Sequence, residues 1–224
     1  MALIELGRPA DGVAVLTLNR PQRRNALSTE LREDGCRLLA DLAADEGVRA
    51  LVVTGAGTTF SAGFDLDEFE QAAGDEAFGR RLWASSDEWH RRWIEFPVPT
   101  VAAVNGAAIA GGFDVAVMCD LRVVAESAAF GHPEISFGDV VYGPLHDLVG
   151  GAVARDLCFT GRRIDGVEAA RLGLATRLVR DGRALDEAVE VATGIAAAPR
   201  EVLVRTKAKA VRRAAAAHGG TLDL

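Results

Sequence analysis

The sequence predicts an α/β fold with mainly parallel strands. Apolar runs of strand length alternate with longer amphipathic stretches through the middle of the chain, which is the pattern of strand–helix–strand units. Hydrophobic residues make up 49% of the 224 residues, enough for a sizeable core. No internal repeat, low-complexity tract or linker divides the chain. The expected organisation is one core over residues 1–198 and a short C-terminal helical segment over 199–224.

The elements follow in order. Residues 3–6 and 13–18 are apolar around Asp11-Gly12, a hairpin signal. Ser28 is a candidate N-cap for a helix whose apolar face is Leu31, Leu38, Leu39 and Leu42. RALVVT (residues 49–54) reads as a buried strand and GAGTTFSAG (55–63) as a glycine-rich loop. Helices are predicted over 65–73 and 78–96, the second carrying Trp83, Trp89 and Trp93 as core or interface residues and ending at Pro97 and Pro99. After residue 134 the pattern is loop-like up to Pro144, which suits a first helical position. Asp165 with Glu168 resembles a capping box, and Gly173 stops the short helix that follows. A strand over 175–179 and helices over 186–198 and 200–217 complete the chain.

Charge and cysteine usage narrow the function. The net charge of −7 argues against a nucleic-acid footprint, which would be basic. Cys36, Cys119 and Cys158 are odd in number and lack metal-ligand spacing, so neither a disulfide framework nor a metal site is expected. The N-terminus shows no signal-peptide pattern, and no apolar run reaches the roughly 18 residues of a membrane span. A cytoplasmic protein with no membrane partner is the expectation.

Residues 100–134, TVAAVNGAAIAGGFDVAVMCDLRVVAESAAFGHPE, hold the chemistry. A short strand (100–104) leads through small residues to Gly111-Gly112, then a mostly apolar helix, then a second strand (121–125) and Glu134. Small residues let a backbone approach a ligand closely. The N–H of Gly111 would lie at a helix N-terminus, a place fit for developing negative charge. Asp114 and Glu134 could then converge on the same cavity.

Four segments stand out together: NRPQRRNAL (19–27), TGAGTTFSAGFDL (54–66), VNGAAIAGGFDVAVMCDLR (104–122) and FGHPEI (130–135). In this order they resemble the motifs of the enoyl-CoA hydratase/isomerase, or crotonase, superfamily. TGRRI (160–164) and the following EAARLGLATRLV fit as well. The resemblance implies a spiral of ββα units, acyl-CoA thioester substrates, coenzyme A entering with the substrate and no other cofactor, and a homotrimer or hexamer. It implies an oxyanion hole from the N–H groups of Ala62 and Gly111, and catalytic carboxylates at Asp114 and Glu134. It also implies that Ala26 and the backbone over Gly63, Phe64, Asp65 and Leu66 hold the nucleotide end of coenzyme A. In a hydration, Glu134 would exchange the C2 proton and Asp114 would activate the water that attacks C3.

Three departures from the family pattern stand out. Asp114 is one methylene shorter than the usual Glu. The segment GDVVYGPLHDLVGG (138–151) is shorter than the usual turn and would bring Asp139, Tyr142 and His146 near the acyl pocket, with Tyr142 a substrate contact. The chain also stops soon after the helix over 200–217, where family members add more helix.

Each candidate has a structural reading beside the functional one. Asp114 could serve its own helix through the dipole. Asp120 with Arg122 reads as a turn with an ion pair, His132 as a packed or hydrogen-bonded loop histidine, and His90 and His218 as surface residues. Arg205, Lys207, Lys209, Arg212 and Arg213 read as a solvated face, with contact to coenzyme A phosphates as the alternative. Other functions fit less well. Gly55-Ala56-Gly57 begins a dinucleotide loop, but residue 60 is Phe where glycine is needed. Ser61 lacks a nucleophile elbow. Within the family, an isomerase, a hydrolase or decarboxylase, or a non-catalytic acyl-CoA binder would share most of these residues.

Overall fold

A computed structural model describes residues 2–213. Two sheets organise it. β1 (Ile4–Ala10) and β2 (Val13–Leu18) form the expected antiparallel hairpin. β3 (Ala50–Gly55), β5 (Thr100–Val104), β7 (Leu121–Ala125) and β10 (Arg177–Val179) then add in parallel, giving a six-stranded sheet in the order β1-β2-β3-β5-β7-β10. A second sheet joins four short strands, β4 (Thr59–Ser61), β6 (Ala107–Ile109), β8 (Ala129–Gly131) and β9 (Ile164–Asp165). The pairs β4–β6 and β6–β8 are parallel.

Chain order and sheet order together give the repeat. β3-β4, β5-β6 and β7-β8 each place one strand in the large sheet and the next in the small one, and a helix follows. These helices are α2 (Leu66–Gly74) with α3 (Glu76–Ile94), then α4 (Gly111–Met118), then α5 (Gly143–Thr160). This is the expected spiral of ββα units. Gly55 sits at the turn from β3 to β4, where an added Cβ would lie 2.2 Å from the carbonyl oxygens of Thr59 and Phe60. Asn25 and Asn105 brace the same region. Asn25 Nδ2 donates to the carbonyls of Ala56 and Thr59, and Asn105 Nδ2 to those of Gly55 and Gly57.

α1 (Thr29–Ala44) starts where expected, with Ser28 Oγ accepting from Leu31 N–H, and packs on α3. Trp89 and Trp93 of α3 are core residues in edge-to-face contact at 5.5 Å, whereas Trp83 is exposed beside Phe69. α6 (Gly166–Arg171) has the predicted Asp165 cap on Glu168 N–H. α7 (Ala184–Ala196) covers the face of the large sheet lined by Val13, Val15, Val52 and Val101. α8 (Arg200–Arg213) covers the described part of the expected segment 199–224; residues 214–224, His218 among them, lie outside the described residues.

Two expectations about charge are corrected. Asp120 pairs with Lys207 of α8 at 2.5 Å rather than with Arg122, and it also accepts from the N–H and Oγ1 of Thr100. Lys207 is therefore buried, while Arg205 and Lys209 remain on the solvated face. The Arg122 guanidinium is taken up by the carbonyls of Ala116, Cys119, Asp120 and Leu174. Among the described residues no helix is long and apolar enough to cross a membrane.

Candidate active site

The parallel strands of the small sheet decide where the chemistry gathers. Parallel neighbours end on one edge, and loops leaving such an edge face one another. β4 runs into Ala62-Gly63-Phe64, β6 into Ala110-Gly111, and β8 into His132-Pro133-Glu134. Segments some 70 residues apart in sequence thus meet at one edge.

The approach of the first two loops is close. A Cβ on Gly63, whose φ is +88°, would fall 2.7 Å from Ala110 Cβ and 3.1 Å from Gly111 N. A Cβ on Gly111 would fall 2.7 Å from Phe64 Cδ1, and one on Gly112 2.4 Å from the Ser61 carbonyl oxygen. Glycine is needed at each for contact, and at Gly63 for conformation as well. Ala110 itself adopts φ 51° just before α4. Its carbonyl accepts from Phe113 and Asp114, leaving the Gly111 N–H as the first donor of the helix, with no backbone acceptor among the described residues.

The second expected donor is corrected. The N–H of Ala62 donates to the carbonyl of Arg24 at 2.9 Å, so it is already engaged. The reason lies in the NRPQRRNAL segment. Arg24 and Asn25 both have positive φ, and the turn they make reaches across to β4, where Ser61 Oγ also donates to the Asn25 carbonyl. Two residues on, the Phe64 N–H has no backbone acceptor among the described residues. Phe64 is held by an isolated parallel bridge to Leu27 and by the buried Arg32 guanidinium, 4.3 Å above its ring. Arg32 is in turn fixed by the Leu27 and Leu82 carbonyls and by Ser85 Oγ.

Asp114 and Glu134 meet through His132. Glu134 Oε1 accepts from His132 Nδ1 at 2.8 Å, and the same nitrogen lies 3.8 Å from Asp114 Oδ1. His132 is fully buried and stacks on Phe113 with ring centroids 4.7 Å apart. His90, expected at the surface, is instead buried in α3 with Nε2 3.8 Å from Asp114 Oδ2. Asp114 Oδ1 and Glu134 Oε2 are buried without a hydrogen-bond partner.

This surrounding shifts the ionisations. Burial pushes the Asp114 carboxyl up to about 7, with the charge of His132 opposing and that of Glu134 adding. Burial also works against charge on His132, but the hydrogen bond to Glu134 and the charges of Asp114 and Glu134 outweigh it and hold the imidazole above its ordinary value. Burial takes His90 down to about 4, with the Arg32 charge acting in the same direction.

Other expected site residues lie nearby in varied states. The Asp65 carboxylate is held by Arg20 at 3.0 Å and Arg23 at 2.9 Å, so its side chain is already engaged. Ala26 is buried, and its carbonyl accepts from Arg20; Leu66 is exposed. Tyr142 is half-buried at the start of α5 and lies against His146 at 5.5 Å, while Asp139 is exposed. Among the described residues no group of three or more His, Cys, Asp or Glu side chains could hold a metal ion.

A family model for enoyl-CoA hydratase/isomerase matches residues 8–221. A Thermus thermophilus protein named for enoyl-CoA hydratase is 44% identical over 189 residues, covering 82% of this chain and 74% of that protein. The short-chain-enoyl-CoA hydratase of Clostridium acetobutylicum is 35% identical over 207 residues, covering 90% and 78%. A Mycobacterium abscessus crystal structure titled as a probable enoyl-CoA hydratase/isomerase superposes with TM-score 0.87 at 32% identity, over 96% of this chain and 84% of that one. On matches of this extent in sequence and in fold, the chain belongs to the enoyl-CoA hydratase/isomerase, or crotonase, superfamily and is an enzyme of that family.

Proposed function

We propose that the protein adds water across the double bond of a 2-enoyl-CoA thioester. The observation that carries this reading is a set of four polar groups at one edge of the small sheet. The N–H groups of Phe64 and Gly111 have no backbone acceptor among the described residues, and Asp114 Oδ1 and Glu134 Oε2 are buried without a partner. Buried polar atoms left in this state are costly unless a ligand completes them.

The chemistry runs as follows. The thioester carbonyl oxygen accepts from the Phe64 and Gly111 N–H groups, Phe64 taking the role that Ala62 cannot fill while it is bonded to Arg24. Water attacks C3 and gives its proton to the Asp114 carboxylate. The electron pair of the double bond moves toward the carbonyl, where the two donors stabilise the enolate; losing one such donor typically costs about 2.7–4 kcal/mol of barrier. Glu134, entering as the carboxylic acid, gives its own proton to C2 and is left as the carboxylate, so a proton passes from Asp114 back to Glu134 before the next turnover. A base that titrates at about 7 is matched to work near neutral pH. Coenzyme A enters as part of the substrate, with its nucleotide end over the Ala26 and Gly63–Leu66 backbone, and the working assembly is a trimer or a dimer of trimers in the cytoplasm.

One observation favours a second reading. Asp114 is neutral below about pH 7, and an isomerase needs only one acid–base group, so double-bond migration through Glu134 alone fits the same site. Incubation with a panel of acyl-CoA thioesters, followed by mass, separates the readings. Hydration adds one water to 2-enoyl-CoA, isomerisation leaves the mass unchanged with a moved double bond, and hydrolysis releases coenzyme A. A folded protein that changes none of them is an acyl-CoA binder.

A further inference from the structure

His132 belongs to neither catalytic role assigned above, yet it touches both carboxylates. Its Nδ1 is 2.8 Å from Glu134 Oε1 and 3.8 Å from Asp114 Oδ1, and stacking on Phe113 at 4.7 Å fixes the ring plane between them. Its Nε2 is buried without a hydrogen-bond partner. A neutral imidazole whose Nδ1 already serves Glu134 would have little reason to stand beside a second carboxylate. An imidazolium favours the Asp114 carboxylate by its charge while its Nδ1–H still donates to Glu134 Oε1. We propose that His132 is the positioning residue of the carboxylate pair: it locks the Glu134 rotamer through Nδ1, and its positive charge keeps Asp114 available as a carboxylate despite burial.

The neighbouring charges leave this role to His132. His90 faces Asp114 from α3, but burial holds it near 4, so it is neutral over the working range. Cys158 faces the pair from α5, and burial pushes its thiol up to about 11. Arg32 of α1 stays cationic, with burial lowering it only to about 10, and its guanidinium is directed at Phe64 and the Leu27 carbonyl. Arg163 packs against Gly131 on the strand leading to His132 and is exposed. Asp114 and Glu134 are the groups that contact His132 itself. The sign follows: removing the imidazolium makes the Asp114 carboxylate less favourable, so its proton is released at higher pH.

His132→Asn tests this, because the Asn amide nitrogen occupies the place of Nδ1 and keeps a donor for Glu134 but cannot gain a charge. The activity arm rests on the hydratase reading, so the first readout needs no substrate. Carboxyl 13C signals of Asp-labelled protein, with Asp114 assigned through its loss in Asp114→Asn, should show the Asp114 midpoint rising by about one pH unit in His132→Asn. The rising limb of kcat/KM should move up by the same amount, giving a roughly fivefold loss at pH 7 that approaches tenfold at lower pH, with KM little changed. In the reciprocal experiment the imidazole 15N midpoint of His132 should fall in Asp114→Asn, a variant that keeps the side-chain volume. Absence of turnover on every thioester removes the hydratase reading and leaves the NMR result to decide the role of His132. An Asp114 midpoint unmoved in His132→Asn overturns the proposal; should that variant not fold, an unmoved His132 midpoint in Asp114→Asn does so.

Discussion

Asp114 lies in the first turn of α4, where the helix dipole favours a negative charge, and in a buried pocket, which favours the neutral acid. Dipole effects amount to about 0.3–2 kcal/mol. The rise from 3.8 to about 7 comes from burial, with the His132 charge opposing it and that of Glu134 adding to it. That balance has a consequence for stability. A carboxyl whose folded-state value is raised stays protonated in the native protein while the unfolded chain has already ionised. Stability therefore falls as pH rises from about 4 to about 7, and the deficit persists above it. Asp114→Asn should remove the deficit. Thermal melts should place Asp114→Asn above the wild type at pH 8, with the two converging at pH 4; equal melting temperatures at both pH values would show that the carboxyl is not desolvated. Both carboxylates were legible in the sequence because they close matched motifs. His132 was read as a packed or hydrogen-bonded loop histidine, which its burial and its bond to Glu134 match, whereas the buried place of His90 was not legible, since a lone histidine carries no periodic signal.

At the scale of elements, the small sheet is what brings the site together, and it was the least legible part of the fold. Its strands have two or three residues each, too short for any alternation of apolar and polar positions to register. The long buried strands and the capped helices were readable because a run of five or six apolar residues, or a Ser28 or Asp165 cap, is a local signal. The engagement of Ala62 depends on positive φ at Arg24, which no residue preference announces, since arginine rarely adopts that conformation. Gly63 tests the element-level account. Gly63→Ala forces a Cβ against Ala110 and the Ile109 carbonyl, so the start of α4 or the β4–α2 loop must shift by several tenths of an ångström. Misplacement on the ångström scale costs about 10²-fold in rate. Steady-state kinetics should show a loss of that order in kcat/KM with the circular dichroism spectrum retained. A wild-type rate would mean that the Phe64 and Gly111 donors are not set by this contact.

At the scale of the whole molecule, α8 is tied to the spiral by side-chain contacts. Lys207 inserts between α8 and the Asp120 turn, and Arg200 donates to the carbonyls of Ala43 and Val48. Removing the lysine leaves the Asp120 carboxylate without its cation, but that side chain is 28% exposed, so the cost stays below that of a fully buried pair, about 3–5 kcal/mol. Lys207→Met should therefore lower the unfolding free energy measured in urea by about 1.5–3 kcal/mol, the range of a hydrogen bond to a charged group. A change within experimental error would show that Asp120 is satisfied by Thr100 and solvent alone. The assembly has its own test. Multi-angle light scattering should give the mass of a trimer or hexamer, and a monomer at all concentrations would remove that part of the proposal. The spiral as a whole was legible only through four motifs in register; composition and periodicity by themselves reached no further than parallel α/β.

The central claim is that two carboxylates share a hydration, Glu134 handling the C2 proton and Asp114 the water. Rates of water addition to a 2-enoyl-CoA by the wild type, Glu134→Gln and Asp114→Asn test it most directly. Each substitution keeps the side-chain size and removes proton transfer, a contribution of roughly 10²–10⁴-fold. The account predicts losses of that order in both variants, with acyl-CoA affinity by calorimetry little changed. Hydration at near wild-type rate in Glu134→Gln, or in Asp114→Asn, would contradict it.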